Sequence, residues 1–169
     1  MHGASPPHGP RIALSARHER WVLGLGLVLL ASGAAWLLGR GVFARPDEFG
    51  AGTDPLGPWW LRLHGAAAMG FLVALGTLLP VHVRRAWQFG LNRRSGAAVL
   101  GVAVVLIATG YALYYVGSEA LRPLVSALHW GVGLAALPLV LVHRSLGRRS
   151  AERRAGGRAQ RRPQPRHGP

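Results

Sequence analysis

Four stretches of the chain, Trp21 to Gly39, Leu61 to Val83, Ala97 to Val116 and Leu124 to His143, each run for about 20 residues without a charged side chain in their interiors. Arg62, at the very start of the second stretch, is the single exception. Blocks of that length, rising about 1.5 Å per residue as helices, match a hydrocarbon core of roughly 30 Å. Half of the 169 residues belong to the hydrophobic set, gathered into these blocks instead of spread as a soluble core requires. The expected fold is therefore all-α, an integral membrane four-helix bundle with spans at about 21–39, 61–83, 97–116 and 124–143.

The charged residues orient those spans. All 20 basic residues are arginines, against six acidic ones, for a formal net charge of +14. Without its location, that charge would suit a nucleic-acid binder. Its location excludes nucleic acid as the expected partner, because the arginines border the apolar blocks or lie in the tail, where they meet anionic lipid headgroups. Sixteen of them (three in the N-terminal flank, four in the second loop and nine after residue 143) fall on one side of the bilayer. Arg40, Arg45, Arg62 and Arg122 fall on the other, diluted by Asp47, Glu48, Asp54 and Glu119. Both termini are thus expected in the cytoplasm. Trp21, Trp59, Trp60, Trp87 and Trp130 sit near the expected interfaces, as an aromatic belt requires.

The chain then falls into three regions. Residues 1–20 and 144–169 are rich in Arg, Pro, Gly and His and poor in apolar side chains, so disordered cytoplasmic tails are expected around a membrane domain at 21–143. His2, His8 and His167 lie in the tails and are given no site role. Arg17, Arg20 and the small residues Ala31-Ser32-Gly33 give the first block some likeness to a signal peptide, yet its apolar run continues to Gly39, longer than an ordinary signal core. An uncleaved span is expected. The chain has no Cys, which excludes disulfides, thiolate-held iron–sulfur clusters and covalent c-type haem.

Ionisable residues inside a membrane are costly and usually face a functional interior, which draws attention to His64, His82, His129 and His143. His129 and His143 are 14 residues apart, about 40° in angle and roughly 21 Å along a helix. His64 and His82 are 18 apart, a whole number of turns and roughly 27 Å. Each pair shares a face, and the second and fourth spans run in the same direction. His64 can then meet His129 near the outer surface, and His82 can meet His143 near the cytoplasmic one. No single metal reaches all four, and zinc at either level would lack its remaining ligands without Cys or a buried carboxylate. Haem needs only two axial ligands, and helical bundles supply them from facing helices. Two bis-histidine haems b, one at each membrane face, are the economical reading, with all four histidines as iron ligands. The two intervals differ by four residues, about 6 Å of rise. A kink at Pro80 or Pro138 would absorb this, or His18, at the cytoplasmic mouth of the first span, would replace His82.

A porphyrin between helices needs small neighbours. Gly96 and Gly110 repeat the 14-residue interval, and Gly26 and Gly33 share a face of the first span, although small residues are ordinary membrane packing too. Arg62, Arg84, Arg85, Arg122 and Arg144 lie near the two levels and are candidate partners for haem propionates, Arg being suited to carboxylates.

RLHGAAAMG opening the second span, ATGYALYY closing the third and SALHWGVGLAALPLVLVH forming the fourth together resemble the bacterial membrane cytochrome b family of formate dehydrogenase membrane subunits, hydrogenase cytochromes b and small di-haem cytochromes. The resemblance covers about the C-terminal two thirds of the four-span region, and the His129–His143 interval is its most specific part. It implies a multi-pass protein of the bacterial cytoplasmic membrane, quinone or quinol at the cytoplasmic haem and a peripheral redox subunit on the outer side. It also implies a ligand near the cytoplasmic end of the first span. His18 in ARHERW matches that role, with the departure that it is not beside the Trp and that His82 in PVHVRRAW is available.

Transmembrane electron transfer is thus the leading expectation, with catalysis, if any, residing in a larger oxidoreductase complex. No Ser or Thr in the spans has the acid–base partners of hydrolytic chemistry. The competing class is a haem-free scaffold, assembly factor or small transporter whose histidines relay protons. A transporter would more readily show internal repeats or broken helices with buried carboxylates, and the chain has neither.

Overall fold

The structure is a computed structural model describing residues 15–40, 55–90 and 92–160. Those residues are helical throughout apart from short turns: α1 Ala16–Leu38, α2 Gly57–Leu78, a π-helical turn Leu79–Val83, α3 Arg84–Gln88, α4 Arg93–Tyr115 and α5 Leu121–Gln160. Four of these helices, α1, α2, α4 and α5, are long and apolar enough to cross a membrane. The chain is a multi-pass membrane protein. Large apolar side chains such as Leu27, Met69, Val73 and Leu124 stand exposed along the helices, which suits lipid and not water.

The chain divides into two units, Met1–Phe89 and Gly90–Pro169. In the first, α1 and α2 form an antiparallel hairpin whose register is visible in its contacts. A Cβ placed on Gly70 would lie 3.2 Å from Leu25, and one on Gly26 would lie 4.0 Å from Phe71, so small residues on each helix receive large ones from the other. In the second, α4 and α5 pair in the same way, with Leu106 set against Gly133.

The helix ends depart from the sequence expectation for local reasons. α1 begins at Ala16 and not at Trp21, because Ser15 caps it by accepting the His18 backbone N–H at 3.2 Å. Residues 16–20 are therefore helical, and 1–14 lie outside the described residues. α2 begins at Gly57, with Pro58 in its first turn, where a fixed φ and a missing N–H are no handicap. The expected second span is α-helical only to Leu78, and its last five residues form the π turn around Pro80. Pro138, by contrast, lies within continuous α-helix.

The largest departure is α5. It runs 40 residues, about 60 Å at about 1.5 Å per residue, twice a bilayer core. Residues 144–160 are helical, where disorder is expected from composition. Their Arg, Ala, Gln, Glu and Leu residues are good helix formers, and no Pro interrupts them before Pro163. Residues 161–169 lie outside the described ones.

Candidate functional site

The two most buried polar side chains among the described residues are hydroxyls, Ser32 at 1% exposed and Thr109 at 8%. Both face histidines. In the first hairpin Ser32 Oγ on α1 lies 3.1 Å from His64 Nδ1 on α2. In the second, Thr109 Oγ1 on α4 lies 2.8 Å from His129 Nδ1 on α5. At the other end of that hairpin, Ser95 Oγ lies 3.0 Å from His143 Nδ1. In all three cases the residue after the hydroxyl is glycine.

The glycines open the space that the rings occupy. A Cβ on Gly33 would stand 3.3 Å from His64 Cε1, and one on Gly110 would stand 3.3 Å from His129 Cε1, both tighter than ordinary packing. At Gly96 the corresponding distance to His143 Cε1 is 3.7 Å, an ordinary contact.

Counting protons assigns the ring tautomers. A hydroxyl has one proton, and each of these donates it to a carbonyl of the preceding turn. Ser32 donates to Val28 O at 2.7 Å, Thr109 to Val105 O at 2.7 Å and Ser95 to Asn92 O at 3.1 Å. With the hydroxyl proton on that carbonyl, the oxygen meets the ring as an acceptor, and Nδ1 carries the hydrogen. His64 adds an independent argument, since its Nδ1 also lies 3.0 Å from Leu29 O, a group that can only accept. In neutral His64, His129 and His143 the lone pair then belongs to Nε2.

His18 shows a related but reversed contact. Its Nε2 lies 3.1 Å from Thr77 Oγ1 on α2, and Thr77 donates to Ala74 O at 2.7 Å. Here the same proton count puts the hydrogen on Nε2. The His18–Thr77 and Ser32–His64 contacts are 14 residues apart on α1 and 13 on α2, about 20 Å. The two contacts of the second hairpin are 14 residues apart on both α4 and α5. Each hairpin thus carries two histidine–hydroxyl contacts at the same separation.

His82 does not belong to this pattern. It lies in the π turn, with its Nδ1 buried. Its expected shared face with His64 assumes an uninterrupted α-helix over 18 residues. A π turn, hydrogen-bonded from i to i+5, shifts the helical phase of His82 relative to His64.

The arginines are more dispersed. The Arg62 guanidinium stacks over the Trp59 ring at 4.7 Å, and Arg122 Nη1 donates to Val116 O at 3.4 Å. Arg84 and Arg85 are exposed on α3, and Arg144 is half-buried on α5. Arg45, Asp47, Glu48 and Asp54 fall outside the described residues, as do His2, His8 and His167. Among the described residues no three His, Cys, Asp or Glu side chains converge to hold a metal ion by themselves.

Ser32, Thr77, Ser95 and Thr109 do not stand out as site residues in the sequence, although a signal for them exists. Ser95 and Thr109 repeat the His129–His143 interval, and Ser32 stands 14 residues after His18. Comparison with family models, with curated proteins and with solved structures found no match to this chain.

Proposed function

We propose that the chain is a di-haem membrane cytochrome b. In this reading the four spans form one bundle in a bacterial cytoplasmic membrane, carrying electrons between a quinone pool and a peripheral redox partner through two bis-histidine haems b. The observation that carries the reading is the arrangement repeated at His64, His129 and His143. Each imidazole is held at Nδ1 by a hydroxyl on the adjacent helix, with glycine beside it and its lone pair on Nε2. A histidine that ligates iron commonly donates its other ring N–H to an acceptor in this way, so the donor set fits axial ligation. Haem, when bound, supplies a one-electron couple at iron. The chain's part is to fix the ligand rings, and the apolar helices exclude water from around them.

In this reading His64 and His129 would hold the outer haem, and His143 would be a ligand at the cytoplasmic level. Matched spacing favours His18 as its partner, since each hairpin then offers ligands about 20 Å apart, and His18 would ligate through Nδ1 because Thr77 holds its Nε2. His82 is the second candidate, and π turns such as the one that holds it recur at functional sites. Arg62, Arg84 and Arg85 remain candidate propionate partners, with Arg62 sharing its guanidinium with Trp59.

Haem stoichiometry of single variants tests the ligand set. His129→Ala and His143→Ala should each lower the haem content from about two per chain to about one. His18→Ala should do the same, and His82→Ala should leave two. The opposite result for the last two variants assigns the fourth ligand to His82. Two haems retained in His143→Ala sink the cytoplasmic pairing altogether.

A further inference from the structure

We infer that Ser32, Thr109 and Ser95 are positioning residues that set the reduction potential of the iron their histidines ligate, with Ser32 and Thr109 acting on the outer haem and Ser95 on the cytoplasmic one. The inference rests on the di-haem reading and deepens it. Each hydroxyl has a carbonyl of its own helix within reach of its proton, which leaves its oxygen placed to accept from the ring. An acceptor on Nδ1–H does two things. It holds the ring plane and the ligating tautomer, and it draws the Nδ1 proton outward, making Nε2 a stronger donor.

A stronger donor favours ferric over ferrous iron and lowers the potential. The outer level has the greater share of this effect. His129 has the shortest of the four contacts, and His64 donates both to Ser32 and to the Leu29 carbonyl. Both outer hydroxyls are buried, where a hydrogen bond is electrostatically stronger than in water. Ser95 is only half-buried.

Packing alone does not explain these residues. Small side chains at helix contacts are common in membranes, and alanine would serve as well for close approach. What alanine and valine cannot do is accept the Nδ1 proton. Threonine and valine have nearly the same shape, so Thr109→Val removes the acceptor while keeping the volume.

The test is an optical redox titration of the full-length, haem-loaded protein and its variants, with haem content measured alongside. Thr109→Val should raise the midpoint of one of the two haem components and leave the other in place. Thr109→Ser, which restores the hydroxyl, should return the wild-type midpoint. Ser32→Ala should move the same component as Thr109→Val, and Ser95→Ala should move the other. If Thr109→Val is too weakened to hold its haem while Thr109→Ser holds it, the hydroxyl is again the group required. Wild-type midpoints in both Thr109→Val and Ser32→Ala overturn the inference, as does a Thr109→Ser that behaves like Thr109→Val. A wild-type chain that binds no haem overturns the underlying reading itself, so the two failures are distinguishable.

Discussion

At the scale of single residues, the site depends on absent side chains as much as present ones. Gly110 lies where one added carbon would stand 3.3 Å from His129, and the ring cannot retreat without leaving the Thr109 hydroxyl. Gly110→Ala should therefore displace the ring at a cost of about 1–3 kcal/mol, the usual range for overpacking, and lower haem occupancy at the outer level. Gly101→Ala in the same helix is the control, because a Cβ there meets nothing within 4 Å. It should leave occupancy unchanged. Equal haem content in the two variants would remove the close-approach role of Gly110. The histidines were legible from sequence because an ionisable side chain inside an apolar block is rare enough to stand out. Their hydroxyl partners were not, since Ser and Thr are ordinary in membrane helices and only the helix-to-helix register gives Ser32 or Thr109 a meaning.

Whole elements were legible in kind and less so in extent. Four apolar blocks became four long helices, yet α1 starts five residues early at its Ser15 cap and α2 gives way to a π turn at Leu79. Hydropathy locates where a helix meets lipid and is silent about where it begins in water. α5 shows this most clearly: its Arg-rich second half reads as a tail by composition but continues the helix by propensity. The α5 extension should show a period of about 3.6 residues in a nitroxide accessibility scan over 144–153. Uniform mobility across that scan would support the disordered-tail reading instead. The chain has no Cys, so each label can be placed singly on an otherwise native background.

At the scale of the molecule, the arginine distribution predicts that both termini face the cytoplasm. A single cysteine introduced at either end should react with a membrane-impermeant maleimide only when the cytoplasmic face is accessible, and labelling of either end from the outer face would reverse the topology. In the proposed reading, that orientation would place the starts of the second and fourth spans, with His64 and His129, toward the outer face and His143 toward the cytoplasmic one. The most direct measurement is a dithionite-reduced minus oxidised visible spectrum of the purified full-length protein, produced with ample haem and paired with pyridine haemochrome quantification. Bands of b-type haem at about two per chain are the expected result. A protein that is folded and helical but has no b-type bands would contradict the di-haem reading and leave the haem-free class of membrane scaffold or transporter.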